Sequence, residues 1–371
     1  MRLRMWQQAL QELCHTPNQI KFDLHGILWV MSEVNKQYWA EYVNRKSAGY
    51  SKVAKFAVRQ SGSGYGADQF TEATKALIKD KFGCESEFVG TGTAANLIGI
   101  GACVSPERPG VAITSLAHLG VFEYRGVERY FGAELLIPGN SLLTLDLEET
   151  RKLIKSKHGR VSAVSVTLAN ERGNVYPISY LKALRELCDE EDILLHGDFA
   201  RGFVAACAMN LEMRQMLSYF NIASLGTMKL GGPCEILCWR NSDFSPKIRE
   251  TRMSLGHDPN STVANAILLR YILEHEIAEN AAKSVKLAKI LAQGIIGMDI
   301  SLEWARETNQ VFPRFTRKLS EMLKTKYMYY DDYGNRGDAK EVVARLITSP
   351  TTSAKSVNRL LQTIRDCQKR I

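Results

Sequence analysis

The stretch Ile193-Leu-Leu-His-Gly-Asp198-Phe-Ala-Arg201 sets the reading of the chain: an apolar run closes on a carboxylate, and the chain then turns. Similar runs recur at Val111-Ala-Ile-Thr114, Leu135-Leu-Ile137, Ala163-Val-Ser-Val-Thr167, Ile222-Ala-Ser-Leu225 and Glu235-Ile-Leu-Cys238. Between them lie helical patterns over 68–82, 93–103, 145–157 and 178–190. Short β-rich runs alternating with helices predict an α/β fold, a large and mostly parallel sheet with helices on both faces. Groups just past the carboxyl ends of such strands line the ligand crevice, which makes Asp198 a candidate site residue. A helix N-cap is the plain alternative for that aspartate.

Outward from this centre, residues 6–13 have helical periodicity that Thr16-Pro-Asn18 breaks, so residues 1–35 are expected to form an N-terminal arm. Asp258-Pro-Asn-Ser261 supplies a break and an N-cap before a long helical pattern at roughly 262–292. Glu341 to Ile347 reads as a strand and Ser353 to Lys369 as a closing amphipathic helix. The expected organisation is thus an arm over 1–35, a large domain over 36–257 and a smaller C-terminal α+β domain over 258–371.

Composition narrows the function. The chain has 371 residues, 45% hydrophobic and 24% charged, long enough for two domains of ~100–200 residues. That balance excludes a disordered tail, a collagen or a small disulfide scaffold. Clean apolar stretches such as Gly26 to Met31 fall far short of the ~20 residues a membrane helix needs. With no secretory h-region at the start, a cytoplasmic protein with no membrane partner is expected. Eight cysteines are scattered without a C-x-x-C pair or a zinc-finger histidine spacing, so they should be reduced, and no metal site is expected. Cys234 and Cys238 stand four apart, but Cys-Glu-Ile-Leu-Cys-Trp reads as a core strand. The formal charge is +8, and residues 1–60 supply +5 of it, nine Lys/Arg against four Asp/Glu. No RNP, zinc-finger or basic-zipper pattern accompanies it, so the charge points to a solvated face that draws in small anions, and no nucleic-acid partner is expected.

Two further motifs carry chemistry. Gly90-Thr91-Gly92-Thr93-Ala-Ala-Asn96 opens an apolar helix with a Gly/Thr turn. Backbone N–H groups and two hydroxyls at a helix N-terminus suit a phosphate, although such turns are also common caps. Ile222-Ala-Ser-Leu-Gly226-Thr-Met-Lys229-Leu-Gly231-Gly232 sets one lysine in a glycine-rich turn between apolar strands. Partial burial would lower the lysine pKa toward nucleophilic use; an exposed turn lysine is the alternative. Together the three features make a phosphate cradle, an aspartate to pair with a ring nitrogen and a lysine to form a Schiff base. Those are the requirements of pyridoxal 5′-phosphate.

At this point the chain resembles the threonine aldolases, in the beta-eliminating lyase group of pyridoxal-phosphate enzymes with the aspartate-aminotransferase fold. The matches run in order from about residue 64 to 352. Tyr65-Gly-Ala-Asp68-Gln-Phe-Thr-Glu72 is similar to a segment that reaches the neighbouring subunit's site. Gly92-Thr93-Ala-Ala-Asn96 resembles the phosphate loop, and Ser115-Leu-Ala-His118 the segment whose histidine stacks on the cofactor ring. Asn170-Glu-Arg-Gly173-Asn-Val-Tyr176, Asp198-Phe-Ala-Arg201 and Gly226-Thr-Met-Lys229 follow. Val343-Ala-Arg345-Leu-Ile-Thr-Ser-Pro-Thr-Thr352 is similar to the stretch whose arginine binds the substrate carboxylate.

The resemblance implies that Lys229 and His118 are catalytic and that Thr91, Gly92, Thr93, His118, Asp198, Arg201 and Lys229 hold pyridoxal phosphate. Arg345, Tyr65 and Glu171 would meet the substrate. It further implies a homodimer or homotetramer acting on an amino acid and an aldehyde. Three departures stand out: Phe199 where relatives carry glycine, expected to add aromatic bulk close to the ring; no serine within Phe22-Asp-Leu-His-Gly26; and Leu230-Gly-Gly-Pro233 after the lysine. The expected activity is cleavage or formation of the Cα–Cβ bond of a β-hydroxy-α-amino acid. The alternatives are β-elimination, β-replacement or transamination with the same cofactor and, more remotely, a basic binding protein without cofactor.

Overall fold

The computed structural model describes residues 52–53, 56–57, 68–257, 262–331 and 340–371, all of them within one compact unit, Ala48–Ile371. The expected arm, the 22–26 segment, Tyr65 and the break at 258–261 lie outside the described residues.

Strands β1 (Glu85–Val89), β2 (Gly110–Ala112), β3 (Glu134–Leu136), β4 (Val161–Thr167), β5 (Leu194–Phe199), β6 (Ile222–Leu225) and β7 (Glu235–Trp239) form a seven-stranded sheet in the order β1-β7-β6-β5-β4-β2-β3. From β6 across to β3 the neighbours are parallel; β7 runs antiparallel to both β6 and β1. The apolar runs are continuous because both faces are covered, and alternate residues go opposite ways. Val164, Val166, Leu195, Ala223, Ile236 and Cys238 pack with helices Ile178–Glu190 and Gly202–Met209. Val111, Ala163, Ile222, Leu237 and Trp239 pack with helix Gly92–Cys103 in a second cluster.

Local chemistry sets the helix ends. Asp68 accepts from the N–H groups of Phe70 and Thr71 at the start of helix Gln69–Phe82, and Gly83 ends it in the left-handed region at φ 71°. Asp146 caps helix Leu147–Ser156 in the same way. The helical pattern expected at 262–292 is two helices, Thr262–His275 and Ile277–Ile296, parted where Glu276 leaves helical geometry at φ −126°. The seven described cysteines are free, and Cys234 and Cys238 are buried, the latter in β7.

Beyond the large sheet, β8 (Gln310–Val311), β9 (Arg314–Thr316), β10 (Glu341–Val343) and β11 (Leu346–Ile347) make two antiparallel pairs, β10-β9 and β11-β8. The single strand expected over 341–347 is divided because the N–H of Ala344 goes to Pro313 O and that of Arg345 to Tyr330 O. Helix Ala354–Gln368, opened by a Ser353 capping box, closes a third core over Leu291, Ile295, Phe315 and Val342. Among the described residues no helix is long and apolar enough to cross a membrane.

Candidate active site

Three neighbouring parallel strands end side by side, and each delivers a polar group at its carboxyl end. After β4 the chain turns at Asn170, whose Oδ1 accepts from the N–H groups of Arg172 and Asn174 at 3.0 Å each; this presents Glu171. The penultimate residue of β5 is Asp198, whose Oδ1 accepts from Ala200 N at 3.1 Å. After β6, a Cβ on Gly226 would lie 2.4 Å from the carbonyl oxygen of Ala200, so the loops leaving β5 and β6 touch backbone to backbone, as only glycine allows. Lys229 then sits in the single 3₁₀ turn Met228–Leu230, closed by Gly231 at φ 99°. Buried Glu235 anchors that turn by accepting from the N–H groups of Thr227 and Met228.

A hydrogen-bond network joins Asp198 to Glu171. Asn96, one turn into helix Gly92–Cys103, donates through Nδ2 to Asp198 Oδ2 at 3.0 Å and to Glu123 Oε1 at 2.9 Å. Its Oδ1 accepts from Ser224 Oγ at 2.5 Å. Glu123 Oε1 also meets His118 Nδ1 at 3.0 Å, and the backbone N–H of His118 donates to Glu171 Oε1 at 2.9 Å. The second Glu171 oxygen is buried without a hydrogen-bond partner among the described residues.

The electrostatics follow from this geometry. Lys229 is exposed by surface area, yet enough protein surrounds its ammonium for desolvation to pull its pKa down, aided by the charges of Arg201 and Arg345 and opposed by Asp198 and Glu235. The hydrogen bond to Glu123 is the largest influence on His118 and raises its pKa, with Asp198 adding to it and burial and Lys229 opposing. Burial raises the pKa of Glu123 and pushes Glu171 up to about 7. His196, sealed in β5 with Nδ1 2.9 Å from Ser165 Oγ, is pulled down to about 4 by burial.

The residues expected from sequence are thereby located. His118, Glu171 and Asp198 belong to one hydrogen-bonded neighbourhood, and Arg201 and Arg345 come close enough to Lys229 for their charges to act on it. Thr91 is the N-cap of helix Gly92–Cys103, its Oγ1 accepting from Ala94 N at 3.1 Å; Gly92 follows and Thr93 is exposed. Arg345 is held by Gln310, whose Oε1 accepts from Nε at 3.0 Å and Nη2 at 2.7 Å. Gln310 in turn lies under Gly173, where a Cβ would come within 2.9 Å of Gln310 Cβ. Phe199 departs from expectation. It is fully buried against Phe220, with ring centroids 4.7 Å apart, because strand alternation sends it to the face opposite Asp198. Asn96, Glu123 and Ser224 are polar groups of the site that motif reading did not single out; a lone asparagine inside the apolar helix Gly92–Cys103 was the available signal.

The donor set suits a phosphorylated pyridine aldehyde. The space beside Gly90 and Gly92 is open, with nothing within 4 Å of a Cβ at either, so an anion can approach the helix N-terminus. Asp198 is a fixed, buried acceptor for a ring N–H, and Lys229 is an amine with a lowered pKa. One atom each of His118, Glu123 and Asp198 lies within 4.8 Å of the others, but Asn96 Nδ2 and His118 Nδ1 already occupy these carboxylates as hydrogen-bond donors.

Comparison with known proteins agrees with this reading of the fold. A family profile described as beta-eliminating lyase matches residues 51–317, and the chain belongs to that family. The solved threonine aldolase of Leishmania major superposes with a TM-score of 0.76 at 21% identity, covering 89% of this chain and 95% of that one; the fold is the α/β fold of these enzymes. The low-specificity L-threonine aldolase of Pseudomonas aeruginosa is 26% identical over 318 residues, 81% of this chain and 89% of its own length. An alanine racemase, TOXG of Cochliobolus carbonum, is 26% identical over 260 residues, 67% of this chain and 62% of its own. The chain spans only 57 to 66% of the length of the first curated relatives it matches.

Proposed function

We propose that the chain is a pyridoxal-phosphate-dependent lyase of the threonine-aldolase type, which cleaves or forms the Cα–Cβ bond of a β-hydroxy-α-amino acid. The observation that carries this reading is a lysine with a lowered pKa set beside a buried, fixed aspartate at the carboxyl edge of a parallel sheet. When bound, the cofactor supplies an electron-withdrawing ring that accepts the electron pair of the bond broken at Cα.

The protein's residues do the rest. Thr91, Gly92 and Thr93 receive the phosphate at the helix N-terminus, and Asp198 holds the proton of the ring nitrogen. Desolvation and the Arg201 and Arg345 charges keep a fraction of Lys229 as free amine, the form that attacks a carbonyl. Arg345, oriented by Gln310, grips the substrate carboxylate and so sets which α-bond stands across the ring; Arg201 serves the cofactor's phenolic oxygen or the same carboxylate. His118 would help hold the cofactor, and either it or a water beside Glu171 would take the β-hydroxyl proton. Glu171, titrating at about 7, can hold or release that proton near neutrality.

We further propose a homo-oligomer, dimer or tetramer, with Tyr65 serving the neighbouring site and no nucleic-acid or membrane partner. Support comes from the exposed apolar side chains Val121, Phe122, Tyr124, Ile137 and Leu142, which follow His118 in the chain. The domain division at 257 and a cytoplasmic location belong to the same proposal. The similarity to an alanine racemase favours one second reading, proton removal and return at Cα without carbon–carbon cleavage.

Reconstitution with pyridoxal phosphate tests the proposal. A visible absorption band that Lys229→Ala abolishes, together with glycine and an aldehyde as products from β-hydroxy amino acids, is expected. Ammonia with a keto acid, or the D-enantiomer from an L-amino acid, would transfer the assignment to elimination or racemisation. No band in the unmodified chain would refute the cofactor.

A further inference from the structure

Glu123 is a buried carboxylate beside an imidazole, and its contacts decide which ring nitrogen carries the proton. Its Oε1 meets both Asn96 Nδ2 at 2.9 Å and His118 Nδ1 at 3.0 Å. The Asn96 amide has one tenable orientation. Its oxygen accepts from Ser224 Oγ at 2.5 Å, while its nitrogen donates to both Glu123 and Asp198. Turned over, it would set an oxygen against two carboxylate oxygens. Oε1 of Glu123 is therefore an acceptor, and any proton that Glu123 carries belongs on Oε2. The imidazole nitrogen facing that same Oε1 must be a donor.

We propose that Glu123, oriented by Asn96 and Ser224, is a positioning residue that fixes His118 in its Nδ1–H form and leaves Nε2 as the nitrogen that exchanges protons in the reaction. The proposal deepens the reading of His118 given above and rests on it for its catalytic meaning. Asn96 makes the device double, since the same amide nitrogen aligns Asp198, the partner expected for the cofactor ring. One hydrogen-bonded unit thus sets the group under the ring nitrogen and the base beside the reacting carbon.

Among the described residues, four ionisable groups face His118 from the elements around it. They are Glu123 on its own segment, Asp198 at the end of β5, Glu171 from the loop after β4, and Lys229 from the turn after β6. The imidazolium is favoured by the hydrogen bond to Glu123 first and by Asp198 next; Lys229 opposes it. Removing the Glu123 charge therefore lowers the His118 midpoint, and removing its acceptor oxygen also frees the tautomer.

Ring-labelled histidine NMR of the protein without added cofactor tests this, with His118 assigned through the signal lost in His118→Asn. In the unmodified chain the neutral ring should be the Nδ1–H form and titrate above ordinary histidine. Glu123→Gln keeps an acceptor oxygen without the charge, so the tautomer should persist while the midpoint falls by roughly one pH unit. Glu123→Ala should also release the ring to the Nε2–H form that free histidine favours. In the reconstituted enzyme, Glu123→Gln should move the acid limb of kcat to lower pH and leave KM in place. An Nε2–H ring in the unmodified chain, or a midpoint unmoved by Glu123→Gln, overturns the proposal; the latter suffices if Glu123→Ala does not fold. Failure of the proposed function would show separately, as no visible band with pyridoxal phosphate, while the imidazole measurement stood.

Discussion

His118 and His196 both feel the charge of Asp198, yet they are tuned in opposite directions. His118 is half-exposed on the segment after β2, and a carboxylate oxygen 3.0 Å from Nδ1 raises its pKa. His196 is sealed inside β5; its hydrogen-bond partner there is the neutral Ser165 hydroxyl, and burial takes it down to about 4 against the pull of Asp198. Nearness to Asp198 therefore does not decide the protonation state; a charged partner at hydrogen-bond distance does. One ring is half-exposed with its protonated form favoured by a carboxylate partner, and the other is a neutral part of the sheet.

The strongest way to break this comparison is to remove each ring in turn. His118→Asn should reduce turnover of the reconstituted enzyme by ~10²–10⁴-fold, the range of a lost general acid–base group, with thermal stability little changed. His196→Gln should keep turnover within about an order of magnitude of the unmodified chain, since a ring sealed in the sheet and held neutral does not reach the reacting atoms. Equal losses of kcat in the two variants would remove the distinction.

The second contrast lies within β5, between Asp198 and its neighbour Phe199. Phe199 packs on Phe220, and its ring fills the space beside Gly197, where a Cβ would come within 2.5 Å of it. Phe199→Ala should therefore cost ~3–5 kcal/mol of stability, as large-to-small core changes do, and leave the KM for substrate unchanged in whatever fraction folds. A shifted KM without a stability loss would mean that the ring lines the site after all. Urea unfolding and steady-state kinetics on the same samples separate the two.

His196 also carries a pH signature. Its folded pKa of about 4 lies below the ordinary 6.5, so the unfolded chain binds the extra proton between those values. The stabilisation is present above pH 6.5 and is lost as pH falls toward 4, amounting to about 3 kcal/mol. Glu171 runs the other way: raised from 4.5 to about 7, its contribution is present below pH 4.5 and is lost as pH rises through 7. The difference between the unmodified chain and His196→Gln cancels the Glu171 share. Urea midpoints of the pair at pH 7.5 and 4.5 should converge at the lower pH; parallel curves would contradict the sealed-ring assignment.

These contrasts explain what was legible in the sequence. Asp198 and Lys229 could be found because each stands close to the carboxyl end of an apolar run, Asp198 as the penultimate residue of β5 and Lys229 in the turn after β6, and position relative to a strand end is a one-dimensional property. Glu123 could not, because His118-Leu-Gly-Val-Phe-Glu123 has neither helical nor strand periodicity, and its partner Asn96 lies 27 residues away. Phe199 was misjudged by comparing residue types without the alternation that turns successive side chains to opposite faces. β1 went unseen because two glutamates in Glu85-Ser-Glu-Phe-Val89 mask a strand whose alternate positions are only half-buried. The strands of residues 310–347 are two or three residues long, and pairs that short are fixed by tertiary hydrogen bonds rather than by a local pattern.

The mildest test concerns Arg345, which resembles His118 in owing its orientation to a neighbour. Gln310 Oε1 accepts from both Nε and Nη2, which fixes the plane of the guanidinium and thereby the direction in which a carboxylate can be met. A lysine keeps the positive charge but has neither the plane nor the fork. Arg345→Lys should raise KM for the amino acid by about tenfold and change kcat by less than about threefold, the mark of weakened binding shared by ground and transition states. If kcat falls as much as kcat/KM, Arg345 acts on the bond being broken, and the tether to Gln310 then helps set which bond that is.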